Sequence, residues 1–277
     1  DEMVKDPDSY SMDATTRELT VMFCDMRGFT SIAESMTPTD LQQLLNTVFS
    51  RLTQVIRDHR GTIDKYMGDC VMAFWGAPVD ATDHATLAVR AAQAMTREIG
   101  RINAERAQAG LPLIGVGIGL NTGEMCVGDM GSDVRRSYTV VGDAVNLGAR
   151  LEGLSRLYGV DIVASETTRR QAPAFVWQEL DLVRVKGKAQ TVAIHTPLET
   201  GATERDAAPV AQELKQWQRA LKAWRTQDWD ACESHLGELR RGNAKKVLYR
   251  LYADRVASMR QSPPPQDWDG AVSFDSK

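Results

Sequence analysis

Leu19-Thr20-Val21-Met22-Phe23-Cys24-Asp25-Met26-Arg27-Gly28-Phe29-Thr30 is an apolar run that stops at a carboxylate, passes a glycine and resumes as a helix start. A short apolar run bounded in this way reads as a buried strand. The free backbone N–H groups and the dipole at a helix start favour anions, so the loop after Asp25 can cradle phosphate, with Phe29 and Thr30 as candidate substrate contacts. A carboxylate at the strand end can hold Mg²⁺ over such phosphates. Asp25 can also simply cap the turn, and this stretch alone leaves both readings open.

Outward from this point the chain alternates strands and helices. Thr37-Pro38-Thr39-Asp40 has a capping threonine, a first-turn proline and an early acid, which predicts a helix start. Leu41, Leu44, Val48, Leu52 and Val55 continue it at helical spacing, and Gly61 is expected to close it. Thr62 to Tyr66 and Cys70 to Trp75 are expected to pair as a hairpin around Met67-Gly68-Asp69. Leu87, Ala91, Met95, Ile99 and Ile102 mark a second long helix. Leu113 to Leu120 and Met125 to Val127 read as two strands joined by a turn at Asn121-Thr122-Gly123. Ser137 to Val141 is a further strand, and Asp143 caps a helix running to Tyr158. Strands near Asp161 to Ala164, Val176 to Val185 and Thr191 to Thr196 follow. This order argues for an α/β or α+β sandwich. From about Val210 to Met259 the pattern becomes helical, with two or three helices that weakly resemble a tetratricopeptide hairpin. Trp217, Trp224 and Trp229 read as the core of that tail.

Several side chains along this frame can carry chemistry. Asp69 sits at the hairpin tip, where an acid is ordinary turn chemistry. Because the flanking strands are apolar, however, the tip belongs to a buried sheet. Two aspartates at the ends of neighbouring strands are what a two-metal phosphoryl-transfer site needs. Asn146 and Arg150 lie four residues apart and so share one helix face. Arg150 can offer a planar fork to phosphate and Asn146 can bond a ribose; a solvated helix face is the plainer alternative. Lys186-Gly187-Lys188 and Arg135-Arg136 each read, alone, as solubilising turns. Gly115, Gly117 and Gly119 fall inside a strand with no helix after them, so close backbone packing explains them better than a dinucleotide loop.

Composition narrows the classes. Hydrophobic residues at 43% and charged residues at 25% match a soluble globular protein. A net charge of −4 argues against a general nucleic-acid binder. The four cysteines form no CxxC pair and the four histidines are scattered, so neither a disulfide framework nor a zinc site is expected. The longest apolar run is too short to span a membrane, and no signal peptide is expected in this stretch. The chain begins at Asp1, which suggests a piece of something longer.

Taken together and in order, Phe23-Cys24-Asp25-Met26-Arg27-Gly28-Phe29-Thr30, Lys65-Tyr66-Met67-Gly68-Asp69, Tyr138-Thr139-Val140-Val141-Gly142-Asp143-Ala144-Val145-Asn146-Leu147-Gly148-Ala149-Arg150 and Val185-Lys186-Gly187-Lys188 resemble the class III adenylyl and guanylyl cyclases, over about residues 17–198. The resemblance implies an α+β, ferredoxin-like (polymerase-palm-like) core with helices packed on a mainly antiparallel sheet. It implies a linker at 1–16, a catalytic domain at 17–200 and a C-terminal helical extension at 208–277. Asp25 and Asp69, with the Met26 carbonyl, would hold two divalent metal ions, Mg²⁺ or Mn²⁺. Lys65 and Thr139 would read the base, Asn146 would orient the ribose, and Arg150 would meet charge developing at the α-phosphate. Lys186 would hold the terminal phosphates, with Arg135 a further phosphate contact that Arg136 could replace.

The same resemblance implies cyclic AMP formation from ATP in a head-to-tail homodimer with shared active sites. Lys65 suits adenine N1, whereas guanylyl enzymes usually place Glu and Cys at the two base-reading positions. Many adenylyl enzymes have Asp where this chain has Thr139. A hydroxyl both donates and accepts, so softer discrimination is expected. The subgroup that shares this threonine includes bicarbonate-responsive enzymes, which makes bicarbonate a candidate effector. The flanks resemble bacterial cyclases anchored in the cell membrane, with this domain cytoplasmic. A guanylyl cyclase and a non-catalytic nucleotide-sensing pseudocyclase are the alternatives. A diguanylate cyclase would need GGDEF or GGEEF where this chain has Met67-Gly68-Asp69-Cys70.

Overall fold

The structure, a computed structural model, describes residues 13–132, 134–185, 191–199, 204–265 and 267–274. The chain divides into two compact units, residues 1–155 with 161–175, and residues 156–160 with 176–277.

In the first unit the apolar run is the centre of a sheet. Strand β1 (Thr15–Arg27) is antiparallel to β3 (Cys70–Trp75) on one side and to β4 (Gly115–Ser132) on the other. Strand β2 (Thr62–Met67) forms the expected hairpin with β3. Strand β4 also pairs in parallel with β6 (Ile162–Ser165) and, further along, antiparallel with β5 (Arg135–Val141). Alternation along β1 sends Leu19, Val21 and Phe23 into a cluster with Met72, Phe74, Met125, Val127, Val140 and Val145. Thr20, on the opposite face, bonds the His84 ring at 2.8 Å.

Among the described residues, helices α1 (Phe29–Glu34), α2 (Pro38–Asp58), α3 (His84–Gln108), α4 (Asp143–Tyr158) and α5 (Glu166–Gln171) accompany this sheet. The α2 start is as the sequence predicts: the Asp40 N–H donates to Thr37 Oγ1 at 3.2 Å, with Pro38 in the first turn. Its end differs. Arg60, not Gly61, takes the left-handed conformation, with φ 60°. Gly61 is needed for space, because a Cβ there would come within 2.6 Å of the Trp75 ring.

The two strands expected from Leu113 to Val127 are one. Asn121-Thr122-Gly123 is no turn but the middle of β4, paired to Val21, Thr20 and Leu19. Its polar side chains are accommodated because each finds a partner inside. Asn121 Nδ2 donates to the Ala144 carbonyl at 2.7 Å, and Thr122 Oγ1 lies 2.7 Å from Thr20 Oγ1 and 3.0 Å from Thr168 Oγ1.

The β4 glycines seat helix α4 against the sheet. A Cβ on Gly119 would lie 2.3 Å from the Gly148 carbonyl and the Glu152 N–H, and one on Gly148 would lie 2.9 Å from Val21 Cγ1. Gly119→Ala should therefore cost about 1–3 kcal/mol of stability by overpacking. Gly100→Ala, in α3 with nothing within 4 Å, should gain up to about 1 kcal/mol from helix propensity. Urea midpoints compare the two; an unshifted Gly119→Ala midpoint would contradict the close seating of α4.

The second unit holds β7 (Val176–Val185), antiparallel to β8 (Val192–Leu198) and parallel to β9 (Val272–Phe274). Among the described residues it also holds α6 (Glu204–Arg225), α7 (Trp229–Gly242) and α8 (Val247–Gln261). Trp217, Trp224, Tyr249 and Tyr252 are fully buried there. The Trp217 ring meets Tyr252 edge-on at 4.9 Å, and Trp224 meets Trp229 and Trp268 at 5.5 and 5.1 Å. Asp181, also buried, is compensated by the Tyr158 hydroxyl and the Arg255 guanidinium, each 2.6 Å away.

Candidate active site

Asp25 and Asp69 meet because of register. Met67 pairs with Cys70, so the β2–β3 loop is only Gly68-Asp69, with Gly68 at φ 64°. The antiparallel pairing of Cys24 with Val71 then carries this tip alongside the end of β1. Burial, followed by the charge of Asp69, pushes the Asp25 carboxyl up to about 6, although a backbone N–H from Met26 opposes the shift. Asp25 Oδ1 is buried and has no hydrogen-bond partner among the described residues. Two carboxylates held against each other, one with an orphaned oxygen, form a donor set for a hard divalent cation. Among the described residues no group of three or more His, Cys, Asp or Glu side chains is arranged to hold a metal. Backbone and substrate oxygens would therefore have to complete a coordination shell, and Met26, in β1 directly after Asp25, offers its carbonyl.

The neighbouring thiols do not compete as ligands. Burial, with Cys70 and the nearby carboxylates, raises the Cys24 thiol well above its ordinary range, and burial with the Asp25 charge pushes Cys70 up to about 12. Both stay protonated and act as small apolar groups.

A third carboxylate, not singled out from the sequence, belongs to this cluster. Glu152 on α4 is pushed up to about 7 by burial and then by the Asp25 charge, with Arg27 opposing. It reaches the site because α4 is seated on glycines: a Cβ on Gly117 would touch Glu152 Oε1 at 2.4 Å. Its signal in the sequence was a charge on the buried stripe of α4, alongside Gly148, Leu151 and Ser155.

Lys65 and Thr139 are brought together. Lys65 Nζ donates to Thr139 Oγ1 at 3.4 Å. Thr139 in turn donates to Asp64 Oδ2 at 2.6 Å, and that oxygen also faces the Val140 N–H at 3.4 Å. Asp64 Oδ1 lies 3.2 Å from Lys65 Nζ. Asp64 is a second residue that sequence reasoning missed, because strict alternation would point it away from Lys65.

Asn146 and Arg150 are both exposed on one face of α4, as their spacing predicts. Phe29 and Thr30 open α1 directly after β1, behind Gly28 at φ 68°. Lys186 and the side chain of Arg135 lie outside the described residues. Arg136 is exposed and sits 3.7 Å from Asp129 Oδ2.

Comparison with known proteins places the chain in a family. The family described as "Adenylate and Guanylate cyclase catalytic domain" matches residues 12–196. An adenylate cyclase of Anabaena cylindrica is 36% identical over 190 residues, which is 66% of this chain and 37% of the relative. Adenylate cyclase 1 of Rhizobium meliloti is 35% identical over 183 residues, 66% of this chain and 28% of the relative. The chain thus spans only a minor part of those relatives' length. Among solved structures, the adenylyl cyclase CyaB from P. aeruginosa superposes with a TM-score of 0.64 at 30% identity, covering 69% of this chain and 98% of that one. The guanylyl cyclase Cya2 superposes with a TM-score of 0.62 at 35% identity, covering 70% and 98%.

Proposed function

Because the chain belongs to the adenylate and guanylate cyclase catalytic-domain family, we propose that it converts ATP to 3′,5′-cyclic AMP and pyrophosphate. The observation that carries ATP over GTP is the convergence of Lys65 Nζ and Thr139 Oγ1. An ammonium donates to adenine N1, which accepts, and repels guanine, which carries a proton there.

Asn146 orients the ribose so that its 3′-hydroxyl lies in line with the α-phosphate. The 3′-oxygen forms a bond to that phosphorus as the bridge to the β-phosphate breaks; pyrophosphate leaves with the bonding pair and the hydroxyl proton is lost to solvent. Arg150 offers its guanidinium to the charge that grows on the α-phosphate oxygens. Lys186 and Arg135 hold the remaining phosphates beside the loop at Phe29 and Thr30. Asp25, Asp69 and the Met26 carbonyl would hold two divalent ions, Mg²⁺ or Mn²⁺, which when bound acidify the hydroxyl and neutralise the leaving group. Holding both ends of one substrate supplies much of the rate.

The working form in this reading is a homodimer. One protomer supplies the aspartates, and its partner supplies the base-reading pair, Asn146 and Arg150. The solvent-facing placement of Asn146 and Arg150, and the exposed Tyr66 and Met67 at the β2 tip, support a partner there. The catalytic domain is residues 17–200, with residues 208–277 a helical extension. The full-length protein is membrane-anchored with this domain in the cytoplasm; among the described residues no helix is long and apolar enough to cross a membrane.

The test is product formation from ATP and GTP, with Mg²⁺ and Mn²⁺, across protein concentrations, with and without bicarbonate at fixed pH. Cyclic AMP rising more than linearly with protein supports the reading. Cyclic GMP from GTP in excess would make the chain a guanylyl cyclase, and no product at any concentration would leave a nucleotide-sensing pseudocyclase. A flat bicarbonate response would remove that effector.

A further inference from the structure

Thr139 is a weak discriminator on its own. A free hydroxyl rotates, so it can accept from the amino group of adenine or donate to the carbonyl oxygen of guanine. The structure removes that freedom. Thr139 Oγ1 sits 2.6 Å from Asp64 Oδ2, and a carboxylate only accepts, so the threonine proton is committed to Asp64. What remains on Thr139 Oγ1 is lone pairs.

The backbone makes this possible. The register of β2 against β3 shifts between Ile63 and Lys65, so Asp64 is the extra residue of a bulge. Bulges re-aim side chains, often beside active sites. Here neighbouring residues reach one hydroxyl from the same strand, Lys65 at 3.4 Å and Asp64 at 2.6 Å. The Asp64 side chain is fully buried, while Lys65 remains half exposed. Asp64 is thus shielded from the base, and its effect must pass through Thr139 and Lys65.

We propose that Asp64 is the positioning residue for base choice: it locks Thr139 as a hydrogen-bond acceptor, so that Lys65 and Thr139 together present one donor and one acceptor. That pattern complements adenine, which offers an acceptor at N1 and a donor at its amino group. It opposes guanine at both places. The softer discrimination expected of a threonine is thereby sharpened from behind. This inference rests on the reading of the chain as a nucleotide cyclase whose base pocket is Lys65 with Thr139.

The experiment compares kcat/KM for ATP and for GTP in the wild type, Asp64→Asn, Asp64→Ala, Thr139→Ala and the double variant Asp64→Asn/Thr139→Ala. Folding of each is checked by its thermal melt. Asp64→Asn nearly keeps the shape but can donate to Thr139, which frees the threonine proton. The ATP-to-GTP ratio should fall about tenfold or more in both Asp64 variants. In the Thr139→Ala background the same Asp64→Asn change should leave the ratio unmoved. An unchanged ratio in a folded Asp64 variant overturns the inference, as does an equal shift that persists without the Thr139 hydroxyl. If the wild type makes no cyclic product, the cyclase reading fails. The same ratio is then read from displacement of a ribose-labelled fluorescent ATP by unlabelled ATP and GTP. A wild type that prefers GTP in either assay sinks both proposals.

Discussion

Asp25→Asn should abolish most turnover and at the same time stabilise the metal-free protein. Turnover is expected to fall about a hundredfold to a thousandfold, the usual effect of losing one group that meets transition-state charge. The stability gain follows from burial and then from the like charge of Asp69, which together raise the Asp25 carboxyl from 3.8 to about 6. A carboxyl raised on folding holds its proton more tightly in the native state. Its contribution is therefore fully favourable below the unfolded value and is lost as pH rises through about 6. The amide escapes that loss. Because the site is partly open to solvent, the gain is discounted to about 1 kcal/mol. Urea denaturation in chelator should show the advantage of Asp25→Asn growing from pH 5 to pH 7.5. A variant that is less stable than wild type at pH 7.5 would show that Asp25 is compensated by a group other than a cation.

Mixing two inactive variants should restore activity. Asp69→Ala removes an aspartate from the metal side. Arg150→Ala removes the guanidinium from the other side, at a cost of about 3–4 kcal/mol in the barrier. In a head-to-tail dimer a hybrid of the two carries both lesions in one site and none in the other. Random pairing makes half the dimers hybrids with one intact site each, so an equal mixture should recover about a quarter of wild-type activity. Initial rates of cyclic AMP formation before and after mixing provide the readout. No recovery, with hybrid formation verified, would place all the groups of a site on one chain.

Much of the candidate site could be read from the sequence because it lies where patterns break. Asp25 ends an apolar run, Asp69 sits in a two-residue loop with a glycine, and Asn146 and Arg150 keep helical spacing. Each is a local event that composition and periodicity record. What escaped reading depended on distant partners. Asn121-Thr122-Gly123 has turn composition, yet it continues β4 because Thr20, Ala144 and Thr168, all remote in sequence, take up its polar groups. Asp64 joins Lys65 only through a bulge, which no residue type announces. Glu152 is drawn into the aspartate cluster by a helix that glycines on another strand allow to approach. The short helix α5 and strand β9 also passed unread, being too brief to establish a period.

The distribution of tryptophan decides what light can report about this protein. Of its six tryptophans, Trp177, Trp217, Trp224, Trp229 and Trp268 belong to the C-terminal unit, and four of these form the ring cluster described above. The first unit has only Trp75, buried with its indole N–H on the His59 carbonyl at 2.9 Å. Intrinsic emission is thus dominated by the unit that lacks Asp25, Asp69, Lys65 and Arg150. A fluorescence melt would follow the second unit, while loss of the first would pass almost unseen. Replacing the other five indoles by phenylalanine would leave Trp75 as a single lamp on the sheet of the first unit.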